Sequence, residues 1–389
     1  MLVTRAWRRR LLRFAGWSAL ALLTAAGALL ADGWRDFGAR TTGARRVRME
    51  RSPQWHDGHF ENPQPLWNDF WGSLAGFGHI SPHVSPVTPP VVPRIDPARF
   101  ASPPAGGLRI TWFGHSSTLV EIDGHRILTD PIWSDRASPW TWLGPHRWYP
   151  PPIALADLPR IDAVVISHDH FDHLDRRTIE AMRAWTAVFV VPLGIGAHLA
   201  YWGIPENRIV ELDWWEAAQV GELTIVATPA RHASGRMLVD YGATLWAGFA
   251  LLGRSHRVYY SGDTGPFPAL NDIGRRYGPF DVTMVESGQY NRAWPDWHIG
   301  PEQAVLAHQV VRGQVIFPVH WGLFPLAFHA WTEPVERVLA RAAIVGAAVV
   351  TPPPGESIDP LLARPAAPWW PKVPWETAAQ HAIVSTLFP

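Results

Sequence analysis

The sequence predicts a mixed α/β domain, and three observations carry that prediction. Strand patterns come first as a meander and later alternate with helix patterns. A cluster of histidines and aspartates follows directly after an apolar strand pattern. And 47% of the 389 residues are hydrophobic, enough for one large core or two modest ones.

Residues 108–112 and 117–122 read as strands. Asp123-Gly124 is a hairpin turn, after which 125–129 returns and Asp130-Pro131 ends the strand. A loop rich in Pro and Trp runs to Pro152. Residues 161–166 form a buried strand pattern and 176–185 a helix pattern. Further strands are expected at 188–191, 223–227, 244–251, 258–261, 282–285 and 315–317, with helices at 268–277 and 301–311. No internal repeat or low-complexity tract interrupts this order.

Three regions follow: an N-terminal segment (1–33), a Pro/Trp-rich extension (34–105) and a main domain (106–389) with a Pro/Trp-rich tail. In the first, Arg5, Arg8, Arg9, Arg10 and Arg13 precede an uncharged apolar stretch, residues 14–31. A positive flank keeps the N-terminus in the cytoplasm, so the main body is expected across the membrane. The segment is either an uncleaved signal anchor or a secretory signal cut near Ala26-Gly27-Ala28. In the extension, Trp67, Phe70, Trp71 and Leu74 fall on one face of a short helix. Packing on the domain is the ordinary role of such a stripe; contact with lipid is the sharper one.

Charge excludes one class of function. Residues 1–51 hold eleven Arg against three acids, and the remainder 23 basic against 31 acidic residues, so the zero net charge divides into +8 and −8. An acidic main body argues against a nucleic-acid enzyme. With no cysteine, disulfides, thiolate metal sites and lipoprotein anchoring are all impossible.

Chemistry is concentrated in His168-Asp169-His170-Phe171-Asp172-His173. Imidazole and carboxylate are the ligands that a cysteine-free zinc site must use. A solvated turn is the bland alternative. Three histidines and two aspartates in six residues, however, are hard to satisfy next to a core without metal. His232, Asp263 and His320 each follow a later strand, and the ends of strands in one sheet bring distant side chains onto a common edge.

The order HxHxDH, His232, Ser261-Gly262-Asp263-Thr264-Gly265 and His320-Trp321-Gly322 resembles the metallo-β-lactamase superfamily over about residues 108–350. The resemblance implies a four-layer αββα sandwich of two mixed sheets with outer helices. It implies two Zn2+ ions, one on His168, His170 and His232, the other on Asp172, His173 and His320, with Asp263 bridging. Asp130 and His115 would orient ligands by hydrogen bonding; a purely structural turn role stands beside that for each.

Flanking stretches narrow the resemblance. They include Trp112-Phe113-Gly114-His115, Leu128-Thr129-Asp130-Pro131-Ile132, Glu211-Leu212-Asp213-Trp214-Trp215 and His320-Trp321-Gly322-Leu323-Phe324. Together they are similar to the N-acylphosphatidylethanolamine-hydrolysing phospholipase D family and its bacterial relatives. This implies a zinc phosphodiesterase acting on that lipid or a related phospholipid. A hydroxide held between the metals would attack phosphorus, with Asp172 and Asp263 keeping it in register and His298 donating to the phosphate. From the N-terminal segment, the expected location is a bacterial inner membrane with the catalytic domain on the periplasmic side, or the periplasm after signal cleavage. Glu286-Ser287-Gly288-Gln289 departs from the more apolar stretch of the animal enzyme. Glu286 and Gln289 are expected to line the pocket without touching the ligands. Phe324, Leu326, Phe328, Trp331, Trp133, Trp140 and Trp142 are candidates for an acyl groove, with core packing the ordinary role for more than half. A lactonase or other carbon-centred hydrolase is the nearest alternative, ahead of an RNA-processing nuclease and a non-catalytic binding protein.

Overall fold

A computed structural model describes residues 2–237, 239–362 and 367–386. The chain opens with α1 (Leu2–Gly33), of which Arg10–Gly33 is long and apolar enough to cross a membrane and has no buried share. The side chains of Arg5, Arg8 and Arg9 lie outside the described residues. The extension then supplies α2 (Gly43–Met49), a hairpin of β1 (Trp55–His56) and β2 (His59–Phe60), and α3 (Phe70–Gly76).

Two seven-stranded sheets follow. The first contains β3 (Leu108–Gly114), β4 (Ser117–Ile122), β5 (His125–Thr129), β6 (Ala163–Val165), β7 (Val188–Pro192) and β8 (Ile209–Leu212). Its helices are α4 (Arg176–Ala181) and α5 (Ile195–Tyr201). The second contains β9 (Ala217–Val220), β10 (Leu223–Thr228), β11 (Gly248–Leu252), β12 (Arg257–Tyr260), β13 (Phe280–Glu286), β14 (Gly313–Val319) and β15 (Ala348–Val349). Its helices are α6 (Ala269–Tyr277), α7 (Pro301–Val310) and α8 (Glu333–Val345). β16 (Ser357–Ile358) crosses back to pair with β3. In both sheets an antiparallel meander turns parallel: β5, β6, β7 and β8 in one, β12, β13, β14 and β15 in the other.

The layers follow from period-two alternation along strands buried on both faces. Leu108, Ile110 and Trp112 of β3 meet Val282, Met284 and Phe317 of the second sheet in the central core. Val164, Phe189 and Val191 turn outward onto Ile179 and Leu199. Tyr259 and Val285 turn outward onto Leu270, Ile273 and Ala304. The result is helix, sheet, sheet, helix, the αββα sandwich implied by the resemblance. The outer helices other than α8 have ten residues or fewer. Isolated helices shorter than about 12–15 residues are marginal in water, so these exist because the sheets bury one side of them.

Several boundaries differ from the sequence expectation. The helix expected over 176–185 stops at Ala181, where Met182 (φ −88°, ψ 4°) leaves it and buries against the first sheet. The strand expected from Thr244 begins at Gly248. Residues 244–247 bond instead to the first sheet, Leu245 N to Leu193 O at 2.8 Å and Ala247 N to Ser167 O at 2.9 Å. α8 was not anticipated, although its start and stop signals are present: Glu333 and Glu336 in the first turn, Pro334 beside them, and Gly346 left-handed at the C-cap. The stripe of Trp67, Phe70, Trp71 and Leu74 does not pack on the domain. Phe70 is 67% and Trp71 74% exposed, and Trp67, Leu74 and Phe77 are exposed beside them.

One buried ion pair ties both terminal segments to this frame. Arg231 and Asp296 meet at 2.9 Å with no exposure on either side. Asp296 also accepts from Trp67 N at 2.8 Å, from Ser385 Oγ at 2.8 Å and from Thr386 N at 3.0 Å, and Arg231 donates to the Pro65 carbonyl. Leaving one buried charge unpaired costs about 3–5 kcal/mol. Asp296→Asn should therefore lower stability by several kcal/mol, read as a lower urea midpoint at unchanged slope. A loss under about 0.5 kcal/mol would mean the pair is not a clamp.

Candidate metal centre

The strand ends of both sheets deliver the polar residues to one edge, the carboxyl edge where open α/β sheets bind ligands. Asp130 follows β5, His168 to His173 follow β6, and His115 sits in the turn after β3. His232 follows β10, Asp263 follows β12, and His320 follows β14. Tight turning is needed there: His115, Asp130 and His320 all have left-handed backbones, with φ of 53°, 33° and 65°. Such residues persist only when the surroundings over-determine them. Here His115 N bonds to Trp321 O and His320 N to His115 O, both at 3.1 Å, locking two turns from opposite sheets together. The tail adds Trp369 and Trp370, packed on Trp321 at 5.5 and 5.4 Å.

Four overlapping groups of ligand atoms result: His168, His170 and His232; His115, Asp172, His173 and His320; His168, His173 and Asp263; and Asp263, Glu286, His298 and His320. His170 Nδ1 lies 2.9 Å from His168 Nε2 and 3.3 Å from His232 Nε2. Donors about 2.0–2.1 Å from a tetrahedral ion are separated by about 3.3 Å, so this triplet could hold one metal. In the second group Asp172 Oδ2 lies 3.3 Å from both His173 Nε2 and His320 Nε2. Asp263 Oδ2 stands between the first two groups, 3.1 Å from His173 and His320 Nε2, 3.8 Å from His168 Nε2 and 3.9 Å from His232 Nε2. All seven residues expected from the resemblance are thus together. His173 Nε2 and Asp263 Oδ1 are buried without a hydrogen-bond partner. Close approach without hydrogen bonding is how donors look when they share an ion, and this is the observation that fits the cluster to metal.

The nitrogens facing away from the cluster are held by the protein, as metal ligands require. His173 Nδ1 donates to Asp130 Oδ2 at 2.6 Å, and His232 Nδ1 to the Trp297 carbonyl at 2.9 Å. His168 Nδ1 meets Ser167 Oγ at 3.0 Å. Asp130 is itself saturated: Ser167 N donates to Oδ1 at 2.7 Å, and the Tyr260 hydroxyl and Ser167 Oγ to Oδ2. His115 differs. Its Nε2 meets Asp172 Oδ2 at 2.9 Å, while its Nδ1 has no partner. That pattern suits a donor to Asp172 better than a metal ligand, whose outer N–H would then be buried unpaired. Asp169 points away, accepting from Gly235 N at 2.7 Å and Thr244 Oγ1 at 3.0 Å.

Electrostatics divide the histidines. Burial, then neighbouring imidazoles, holds His168 well below its usual range. His232 is lowered in the same way, and burial lowers His170. Burial also lowers His115, to about 3, so it is neutral. For His173 and His320 burial is outweighed by Asp263 and Asp172, which keep His173 well above its usual range and raise His320 to about 10. Both aspartates are held well below theirs by those imidazoles despite burial. The carboxylates demand positive charge, and without metal two imidazolium groups supply it.

A cavity of about 320 Å³ opens on the cluster. Its floor is His170, Asp172, Asp263 and His320, with His298 on one side. Trp294, Trp297 and Leu326 form walls, while Asn68 and Ser73 bring α3 to the rim. Gln289 lines it as expected, but Glu286 does not: it is fully buried beneath His298 and approaches the expected ligand His320, with Oε2 3.4 Å from Nδ1. Phe324 and Trp331 are buried in packing clusters. Trp140 and Trp142 instead hold the base of α1, donating to Leu29 O and Asp32. Residues that sequence reading missed include Ser167, Tyr260 and Asn62. Asn62 grips the His232 backbone from the extension, Nδ2 to O at 2.6 Å. No motif marks it; a lone Asn in a Pro-rich arm carries no pattern.

Residues 125–321 match the model of the β-lactamase superfamily domain. A Mycobacterium tuberculosis protein described only as uncharacterised is 47% identical over 344 residues, 84% of this chain and 89% of its own. The N-acyl-phosphatidylethanolamine-hydrolyzing phospholipase D 1 of Caenorhabditis elegans is 38% identical over 232 residues, 57% of this chain and 65% of that one. A solved metallo hydrolase from the archaeon Ignicoccus hospitalis is 28% identical with a TM-score of 0.51, covering 64% of this chain and 97% of that one.

Metal uptake should depend on pH with a definite sign. His173 and His320 bind protons in the metal-free protein and must release them to bind an ion. Affinity should therefore climb with pH between about 6 and 8, because the His320 proton is held up to about pH 10. Competition titration against a chromophoric chelator measures this. A flat profile would mean that these imidazoles are not displaced by metal.

Proposed function

We propose, from the premise that the chain belongs to the β-lactamase superfamily and is a metal-dependent hydrolase of that fold, that it is a zinc phosphodiesterase of the phospholipase D type. Its substrate is N-acylphosphatidylethanolamine or a related phospholipid. The observation that carries the reading is a two-ion donor set at the floor of a cavity whose rim is an exposed apolar helix. The likeness to the nematode phospholipase supports it.

His168, His170 and His232 would hold one zinc and Asp172, His173 and His320 the other, with Asp263 between. Bound there, the ions would supply hydroxide at neutral pH and neutralise charge on phosphoryl oxygens. The chain's own groups do the rest. Asp172 and Asp263 accept hydrogen bonds from the attacking water and so orient it. His298 faces the substrate and its water from the cavity side. Trp294, Trp297 and Leu326 exclude bulk water. Cleavage of the phosphorus–oxygen bond releases an N-acylethanolamine and phosphatidic acid.

A lipid substrate also explains where apolar surface is left exposed. Trp67, Phe70, Trp71, Leu74 and Phe77 are exposed on the segment that carries Asn68 and Ser73 to the cavity. Exposed aromatic clusters of this kind suit a membrane interface. α1 is read as an uncleaved anchor, its base joined to the metal loop by Asp36 with Arg176 and by Phe37 against Phe171. The body would lie on the periplasmic side of a bacterial inner membrane. A mature N-terminus mapped at Ala28 or beyond would replace the anchor with a cleaved leader.

The direct test is a substrate panel: N-acylphosphatidylethanolamine, simpler phospholipids, bis(p-nitrophenyl) phosphate and lactones, with and without chelator. Chelator-sensitive release of the N-acylethanolamine is expected, and Asp263→Asn should keep below about one-hundredth of it. Faster turnover of lactones than of any diester would overturn the reading.

Introducing charge on the rim separates lipid access from chemistry. Phe70→Asp with Trp71→Asp should cut activity on vesicle-borne lipid about tenfold or more. Hydrolysis of the soluble diester should stay within about twofold, since neither side chain lines the cavity. Equal losses on both substrates would show that α3 acts on the fold and not on lipid.

A further inference from the structure

Beneath the cavity lies a carboxylate outside the seven expected ligands, although its ligand atom lies close to those of Asp263, His298 and His320. Glu286 ends β13 with no exposed surface. Among the described residues it pairs with no Arg or Lys; its ionic neighbours are His298 and His320. Oε1 accepts from the backbone N–H of Thr264 and faces that of Ile299 at 3.5 Å. Oε2 meets His298 Nδ1 at 2.8 Å. A buried carboxylate of this kind is costly unless its hydrogen bonds are made, and these make them.

The consequence falls on His298. With Nδ1–H committed to a carboxylate, the neutral ring must leave Nε2 as its open nitrogen. No hydrogen-bond partner holds Nε2 among the described residues, and the ring lines the cavity. The ring is fixed in plane as well, stacked on His320 at 5.1 Å and 13°. We propose that Glu286 is a positioning residue: by taking the Nδ1 proton it fixes the tautomer and tilt of His298 so that Nε2, the ring's accepting nitrogen, meets an O–H of water or substrate beside the metal cluster. The proposal rests on the cavity being the active site, but not on which ester is cleaved there. It makes a residue with no access to substrate decisive for the one histidine on the cavity wall that the metal ligand set leaves free.

Glu286 also approaches Nδ1 of His320, so a role through the expected metal ligand is the competing explanation. A double-mutant cycle separates the two. The full chain is assayed with bis(p-nitrophenyl) phosphate, or with whichever member of the panel it turns over. Glu286→Gln should lower kcat about 10- to 100-fold with KM within about threefold and bound metal unchanged. Placed on His298→Ala, the same change should cost less than about twofold, because the group it positions is gone. An equal cost in both backgrounds, or loss of metal from Glu286→Gln, would overturn the assignment. Imidazole 15N NMR of the unmutated protein needs neither variant nor substrate. It should find the His298 proton on Nδ1, and a proton fixed on Nε2 would refute the proposal even if Glu286→Gln failed to fold.

Discussion

The structure depends on one electrostatic constraint: carboxylates buried among imidazoles must be given positive charge. Asp263 Oδ2 has five histidine nitrogens from four different loops within 3.9 Å, and Asp172 shares two of those histidines. Burial alone would push both carboxyls up and most of the imidazoles down. Their mutual attraction keeps Asp172, Asp263, His173 and His320 ionised without metal, and an ion would take over that task. The remaining histidines, His168, His170 and His232, stay neutral and so present lone pairs.

Much of the fold can be understood as holding that cluster still. Two sheets that both turn from antiparallel to parallel aim their carboxyl edges at the same place. Left-handed residues at His115, Asp130 and His320 bend the chain sharply there, and backbone bonds between the sheets keep them bent. Outside the ligands stands a ring of acceptors that includes Asp130, the Trp297 carbonyl and Glu286. Each takes the outer proton of one imidazole and thereby fixes which nitrogen looks inward. The extension and the tail then close over this ring through Asn62, the Arg231–Asp296 pair and the stacked tryptophans.

The two ends of the site face different surroundings. Toward the core, the outer nitrogens of His173 and His232 are held by Asp130 and the Trp297 carbonyl. Toward the cavity, His170, Asp172 and His298 retain access, under a rim that is apolar and exposed. A rim of that kind is unfavourable in water, where each exposed aromatic forgoes about 1.5–3 kcal/mol of burial. The segment just after the apolar N-terminal helix packs on the loop that carries the metal-ligating residues, through Phe37 against Phe171.

The sequence by itself determined which side chains are available to ligate metal. HxHxDH after an apolar strand, with His232, Asp263 and His320 at later strand ends, is legible because ligand types and strand periodicity are local properties of the chain. The same locality makes β4, β5 and α6 readable almost to the residue, and both sheets' alternation visible. Tertiary structure alone decided which face each group would show. It took Thr244 out of a strand to serve Asp169, and left the α3 stripe in solvent where the pattern favoured packing. It put Glu286 under His298 rather than on the cavity wall, and made Trp140 and Trp142 supports for α1. Those outcomes depend on what lies opposite a side chain, often 100 residues or more away in sequence, as with Asn62 and His232. A period of two or 3.6 records that a residue has a partner surface, but not which surface it is.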